Sequence, residues 1–186
     1  MSEHFWWHLS RASGIVAWGL LLASSLWGIL LATRLLKPYD RPAWLRDLHT
    51  WLGALTLLGT ALHVAAIVAD SYVHFGLADV TVPLASSWKP VAVAWGIVGA
   101  YLLAAVQASS LPMRRIPRRL WRSIHLLSYA LFATVSVHAF AAGTDRSKDA
   151  FQAFGIAIVA VMMGATVLRA IHRGSPRTRV VAADRV

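Results

Sequence analysis

The stretch HTWLGALTLLGTALH, residues 49–63, is apolar between two terminal histidines and carries no charge. Gly53 and Gly59 each sit four residues inside one of those histidines. A second stretch answers it: HLLSYALFATVSVH, residues 125–138. With its flanks, each is long enough to cross the hydrocarbon core of a bilayer, which takes about 20 apolar residues. A histidine inside such a span is costly and marks a site. Four of them on two spans mark it more sharply than one would.

Working outward, five runs qualify as spans, near 12–33, 48–69, 90–111, 123–142 and 150–169. The chain has 186 residues, 58% of them hydrophobic, and a mean hydropathy of +0.58. These features predict an all-α integral membrane protein: a five-helix transmembrane bundle forming one domain over residues 1–186. The opening MSEHFWWHLSR has an early Glu3 and leads into a long apolar run, so it reads as the first span and not as a cleaved signal.

The formal charge is +10, and most of the 18 lysines and arginines fall in residues 34–46, 114–122 and 169–185. The positive-inside rule puts these segments in the cytoplasm. The N-terminus is then outside and the C-terminus inside, with 170–186 as a basic cytoplasmic tail on a multi-pass protein of the cell membrane. Juxtamembrane arginines meet anionic lipid first, so the charge gives no reason to expect a nucleic-acid partner. The chain has no Cys, which excludes thiolate-ligated iron–sulfur clusters and a thioether-attached haem.

Spacing suggests what the four histidines hold. At 1.5 Å per residue, His49 and His63 lie about 21 Å apart along their helix, and His125 and His138 about 20 Å apart. Both helices are expected to run from inside to outside. His49 and His125 then share an inner level, and His63 and His138 an outer one. Two facing imidazoles suit a six-coordinate haem iron, and bundle cores build cofactor sites from facing helices in this way. The expectation is two b-type haems, with inner iron on His49 and His125 and outer iron on His63 and His138. Gly53 and Gly59, on the ligand face, would leave room for a flat porphyrin. The small residues of the first span, Ser13, Gly14, Gly19, Ser24, Ser25 and Gly28, would let a neighbouring helix or a flat cofactor come close. Buried structural histidines, a zinc or manganese transporter and a proton relay are the competing readings. The cation and proton readings call for carboxylates, and no span centre has one.

A helix turns about 100° per residue, so thirteen residues miss the starting face by about 140°. This predicts a tilted or irregular fourth span, or different histidine rotamers, with a local distortion between Leu126 and Val137. Arg11, at the outer edge, suits either a haem propionate or a lipid phosphate. His4 and His8 are four apart and allow an outer metal site, though a solvated interfacial helix reads as well. His74, in the long outer connection 70–89, is either a plain surface residue or part of an acceptor site above the outer cofactor.

The pattern H-x13-H on one span and H-x12-H on another resembles the ferric reductase-like transmembrane domain, shared by ferric reductases, NADPH oxidases and small bacterial proteins. SRASG (Ser10 to Gly14) and WRSIHLLSY (Trp121 to Tyr129) also look like its bacterial members. The resemblance implies a cytochrome b-like oxidoreductase or oxidoreductase subunit. Electrons would pass through the two haems from a cytoplasmic flavoprotein or quinol to an extracytoplasmic acceptor, such as ferric chelate or a partner protein. No Gly-rich dinucleotide fingerprint follows a strand-like segment, so the donor is expected to be separate. The alternative is a non-catalytic haem-binding subunit of a periplasmic reductase or flavoprotein system.

Overall fold

The computed structural model describes residues 4–37, 41–71, 74–111 and 115–174, without the side chains of 173 and 174. Most of the expected basic tail, residues 175–186, lies outside them. Six helices follow one another: α1 (Phe5–Thr33), α2 (Pro42–Ala69), the short α3 (Leu77–Thr81), α4 (Pro90–Ser110), α5 (Arg118–Ala142) and α6 (Asp149–Gly174). The chain is all-α among the described residues, and all but α3 are long and apolar enough to cross a membrane.

Punctuation in the sequence sets the boundaries. Pro42 and Pro90 open α2 and α4, where a missing N–H costs nothing. Pro117 precedes α5 as its N-cap. Arg34 closes α1 in the left-handed region at φ 55°, its N–H bonded back to Leu30. Lys89 reaches across to the last carbonyls of α5, Ala141 and Ala142, both at 3.4 Å. A cation there also favours the negative end of the α5 dipole.

α1 packs along α2, and α4 along α5; α6 closes against α1 and only lightly against α5. α2 and α5 do not pack on each other: among the described residues no Cα of one lies within 8 Å of the other. The core between the two halves is built on Trp18 and Leu131, both fully buried, with Leu21, Leu103, Phe132, Ile158 and Met162 around them. Trp18 donates from Nε1 to Ser136 Oγ at 3.1 Å and meets Phe140 edge-on. The outer faces stay apolar and uncovered, as Trp51, Leu58, Ile156 and Met163 show. This suits lipid as the surrounding solvent.

The expected distortion in 126–137 is not there. α5 is α-helical without interruption from Arg118 to Ala142. The thirteen-residue offset is absorbed by the rings. His138 bonds across to α4, whereas His125 stacks on Trp121 of its own helix.

Candidate functional site: two histidine pairs

The α2 and α5 histidines meet as pairs at two levels. The ring centres of His49 and His125 are 5.9 Å apart, with planes at 73°. Those of His63 and His138 are 6.3 Å apart, at 78°. The first pair lies toward the end where Arg34, Arg41, Arg46, Arg118, Arg119 and Arg122 cluster, called here the basic end. The second lies toward the far end. Two imidazoles held on opposite sides of one metal, each nitrogen about 2 Å away, have ring centres roughly 6 Å apart. Both pairs fit that spacing, and the helices that carry them stand apart. Among the described residues no three His, Cys, Asp or Glu side chains converge.

Three of the four rings share one kind of seat. His63 Nδ1 lies 2.6 Å from the Ser10 carbonyl, His49 Nδ1 2.9 Å from the Ser24 carbonyl, and His138 Nδ1 2.8 Å from the Ala92 carbonyl. A carbonyl only accepts, so each Nδ1 carries the proton and Nε2 keeps its lone pair for a metal. Such a bond fixes the tautomer and orientation of a ligating histidine. Four residues after each carbonyl comes a glycine: Gly14, Gly28 and Gly96. A Cβ would lie 2.9 Å from His63 Nδ1 at Gly14, 3.2 Å from His49 Cε1 at Gly28, and 2.7 Å from His138 Nδ1 at Gly96. The missing side chains let the rings lie against the neighbouring backbone, on α1 for the α2 histidines and on α4 for His138.

His125 has no such seat. Its Nδ1 is buried and has no hydrogen-bond partner among the described residues. The register explains why. Gly96 lies against His138 and Gly99 against Val135. Counting on in that antiparallel register puts Ser109 level with His125. Ser109 is buried, and its hydroxyl bonds the Val106 carbonyl of its own helix. The His125 ring stacks instead on Trp121, at 4.9 Å and 22°.

A cavity of about 260 Å³ adjoins the far-end pair, with Trp7, Arg11, Leu131 and Asp145 in its wall. From the 70–89 connection, Phe75, Val80 and Trp88 line it; His74 does not, and is exposed at φ 56°. Arg11 pairs with Asp145, which Lys148 also meets at 2.7 Å, and its guanidinium lies 4.1 Å from the Trp7 ring centre. Arg11 Nε is buried with no acceptor among the described residues. His4 and His8 are exposed, and the His8 ring meets Trp7 edge-on. The other glycines singled out from sequence meet protein: Gly59 abuts Ala17, and Gly53 faces the Gln107 carboxamide, 2.6 Å from where a Cβ would stand.

From sequence, Gly14 and Gly28 stand out only among the small residues of the first span that allow a close approach; Gly96, Asp145 and Gln107 do not stand out. One signal for the seats was present: Gly14 and Gly28 are fourteen apart, like His49 and His63. Residues 13–136 match the family described as ferric reductase like transmembrane component, a stretch that holds three of the four histidines and stops just short of His138. No curated protein and no solved structure shows significant similarity. With two thirds of its length inside that match, the chain belongs to the ferric reductase-like transmembrane family.

Proposed function

We propose that this protein carries electrons across the membrane through two b-type haems, one on His49 and His125 and the other on His63 and His138. The single observation behind this reading is the pair of 5.9 and 6.3 Å ring separations between helices whose Cα atoms, among the described residues, nowhere come within 8 Å of each other. Family membership points to transmembrane electron transfer. Bound haem would supply a one-electron change between ferric and ferrous iron.

The protein's own residues do the rest. Ser10, Ser24 and Ala92 hold three imidazoles in the ligating tautomer. Gly14, Gly28 and Gly96 admit the rings, while Gly53 and Gly59 let Gln107 and Ala17 lie close against α2. Leu131 and Phe132, buried at the middle of α5, keep water out between the levels. Arg11 Nε is a buried donor without an acceptor, placed for a propionate at the far end. The basic end faces the cytoplasm and takes electrons from a flavoprotein or quinol; the far end gives them to an extracytoplasmic acceptor such as ferric chelate.

The test is haem stoichiometry with a reduced-minus-oxidised spectrum of the purified full chain. Two low-spin haems per chain are expected. A colourless preparation from haem-replete cells, or one haem per chain, overturns the assignment.

A further inference from the structure

Arg169 is a charge in an unfavourable place. It lies near the C-terminal end of α6, and helix side chains lean toward their own N-terminus. It therefore leans into the membrane, away from the basic end. Its NH1 donates to Tyr129 Oη at 2.7 Å, and the guanidinium carbon is 5.6 Å from the Tyr129 ring centre. Tyr129 is one turn past His125 toward the middle of α5, and Trp121 one turn before it, so the three share a face. Arg169 Nε is buried and has no acceptor among the described residues. An arginine at a span end ordinarily extends its head group to water. This one is held inward, and among the described residues no carboxylate pairs with it.

The far end is arranged differently. Arg11 lines the cavity beside that pair, and Asp145 neutralises it. Lys148, also on Asp145, is 68% exposed, so solvent screens its charge. The seats differ in the same sense. Both far-end rings donate Nδ1–H to a carbonyl, which makes an imidazole more basic and favours ferric iron. At the basic end only His49 does so.

Resting on the two-haem reading, we infer that Arg169 is the counter-charge for the electron at the basic end, and that the haem on His49 and His125 is the more easily reduced of the two. An uncompensated cation near the ring and one unseated ligand both favour ferrous iron there. Arg169 is a tuning residue and touches neither donor nor acceptor.

The test is spectroelectrochemical titration of the full chain in nanodiscs. Wild type is expected to show two one-electron waves of different midpoint. A His63→Ala, His138→Ala variant, lacking the far-end haem, keeps the higher wave; His49→Ala keeps the lower. Arg169→Gln moves the higher wave down and leaves the lower in place, and Arg169→Lys restores it. Coincident waves, a lower wave surviving in the His63/His138 variant, or an Arg169→Gln shift shared by both waves each overturn the inference. If Arg169→Gln fails to take up the basic-end haem, the two histidine variants still decide it. Absence of any Soret band would sink the two-haem reading itself, a different failure.

Discussion

The far-end and basic-end pairs use the same residue type on the same two helices, yet they are built differently. At the far end each imidazole is bonded to a carbonyl of a neighbouring helix, and the nearby arginine has a carboxylate. At the basic end, among the described residues, one imidazole is bonded, the other only stacks on Trp121, and Arg169 has no carboxylate. A ligand set therefore underdetermines a site: the second layer of contacts decides how rigid each pair is and which charge it favours. If the basic-end haem is the easier to reduce, outward transfer runs against the intrinsic midpoints. An inside-negative potential then offsets the difference. The levels are about 20 Å apart in a core about 30 Å thick, which gives roughly two thirds of about 2.3 kcal/mol per 100 mV.

The largest expected effect is on the ligands. His138→Ala should abolish the far-end haem and leave one haem per chain by absorbance. His125→Ala should remove the basic-end haem from the purified protein, yet excess imidazole should restore it more readily than it restores the other. Trp121 and an unseated pocket remain to receive the added ring in the first case. In the second the Ala92 carbonyl demands a fixed orientation. Equal rescue at both ends would show that the seats do not matter.

The seats themselves come next. A Cβ at Gly96 or Gly14 meets a ring nitrogen inside 3 Å, so Gly96→Val and Gly14→Val should lower far-end haem occupancy by more than half. At Gly28 the closest approach is 3.2 Å, and Gly28→Ala should cost less, at the basic end only. Gly19 has open space around it, so Gly19→Ala should change neither band. Separate quantification of the two haems checks the order.

This explains what the sequence could and could not tell. Each span advertises itself by about 20 uncharged residues, and H-x13-H with H-x12-H locates the pairs, because helical rise converts spacing directly into depth. Gly14 and Gly28 were legible as small residues of the first span, but not as seats, because their partners depend on which helices become neighbours. Gly53 and Gly59 drew attention for standing on the histidine helix itself, although the rings lean away from them, on Gly14, Gly28 and Gly96. For the thirteen-residue offset in α5 the sequence allowed a distortion or different histidine rotamers; the helix stays regular, and His125 and His138 leave it differently. Arg11 was legible as an edge cation, but its partner Asp145 is 134 residues away and only packing of α1 near the α5–α6 turn brings them together.

Charge balance at the far end offers a smaller test. Asp145→Asn would leave Arg11 facing the cavity without its carboxylate. The far-end midpoint should then rise toward the basic-end one, narrowing the gap between the waves in a redox titration while haem content stays at two. A gap that widens would mean that Asp145 acts mainly by orienting Arg11 and not by cancelling its charge.

The smallest effect should come from Trp18, which ties α1 to α5 between the two levels. Trp18→Phe removes the hydrogen bond to Ser136 and shortens the ring against Phe140. The Ser136 hydroxyl still bonds the Phe132 carbonyl at 2.8 Å, so no buried group is left unsatisfied. The loss is then the net worth of one hydrogen bond, about 1 kcal/mol, plus a little packing. Trp18 lines the far-end cavity and is remote from Trp121 and Arg169. Thermal release of haem should therefore begin earlier at the far end and be unchanged at the basic end. Earlier release of both together would mean that the two levels are held by one cooperative core, with the seats adding little of their own.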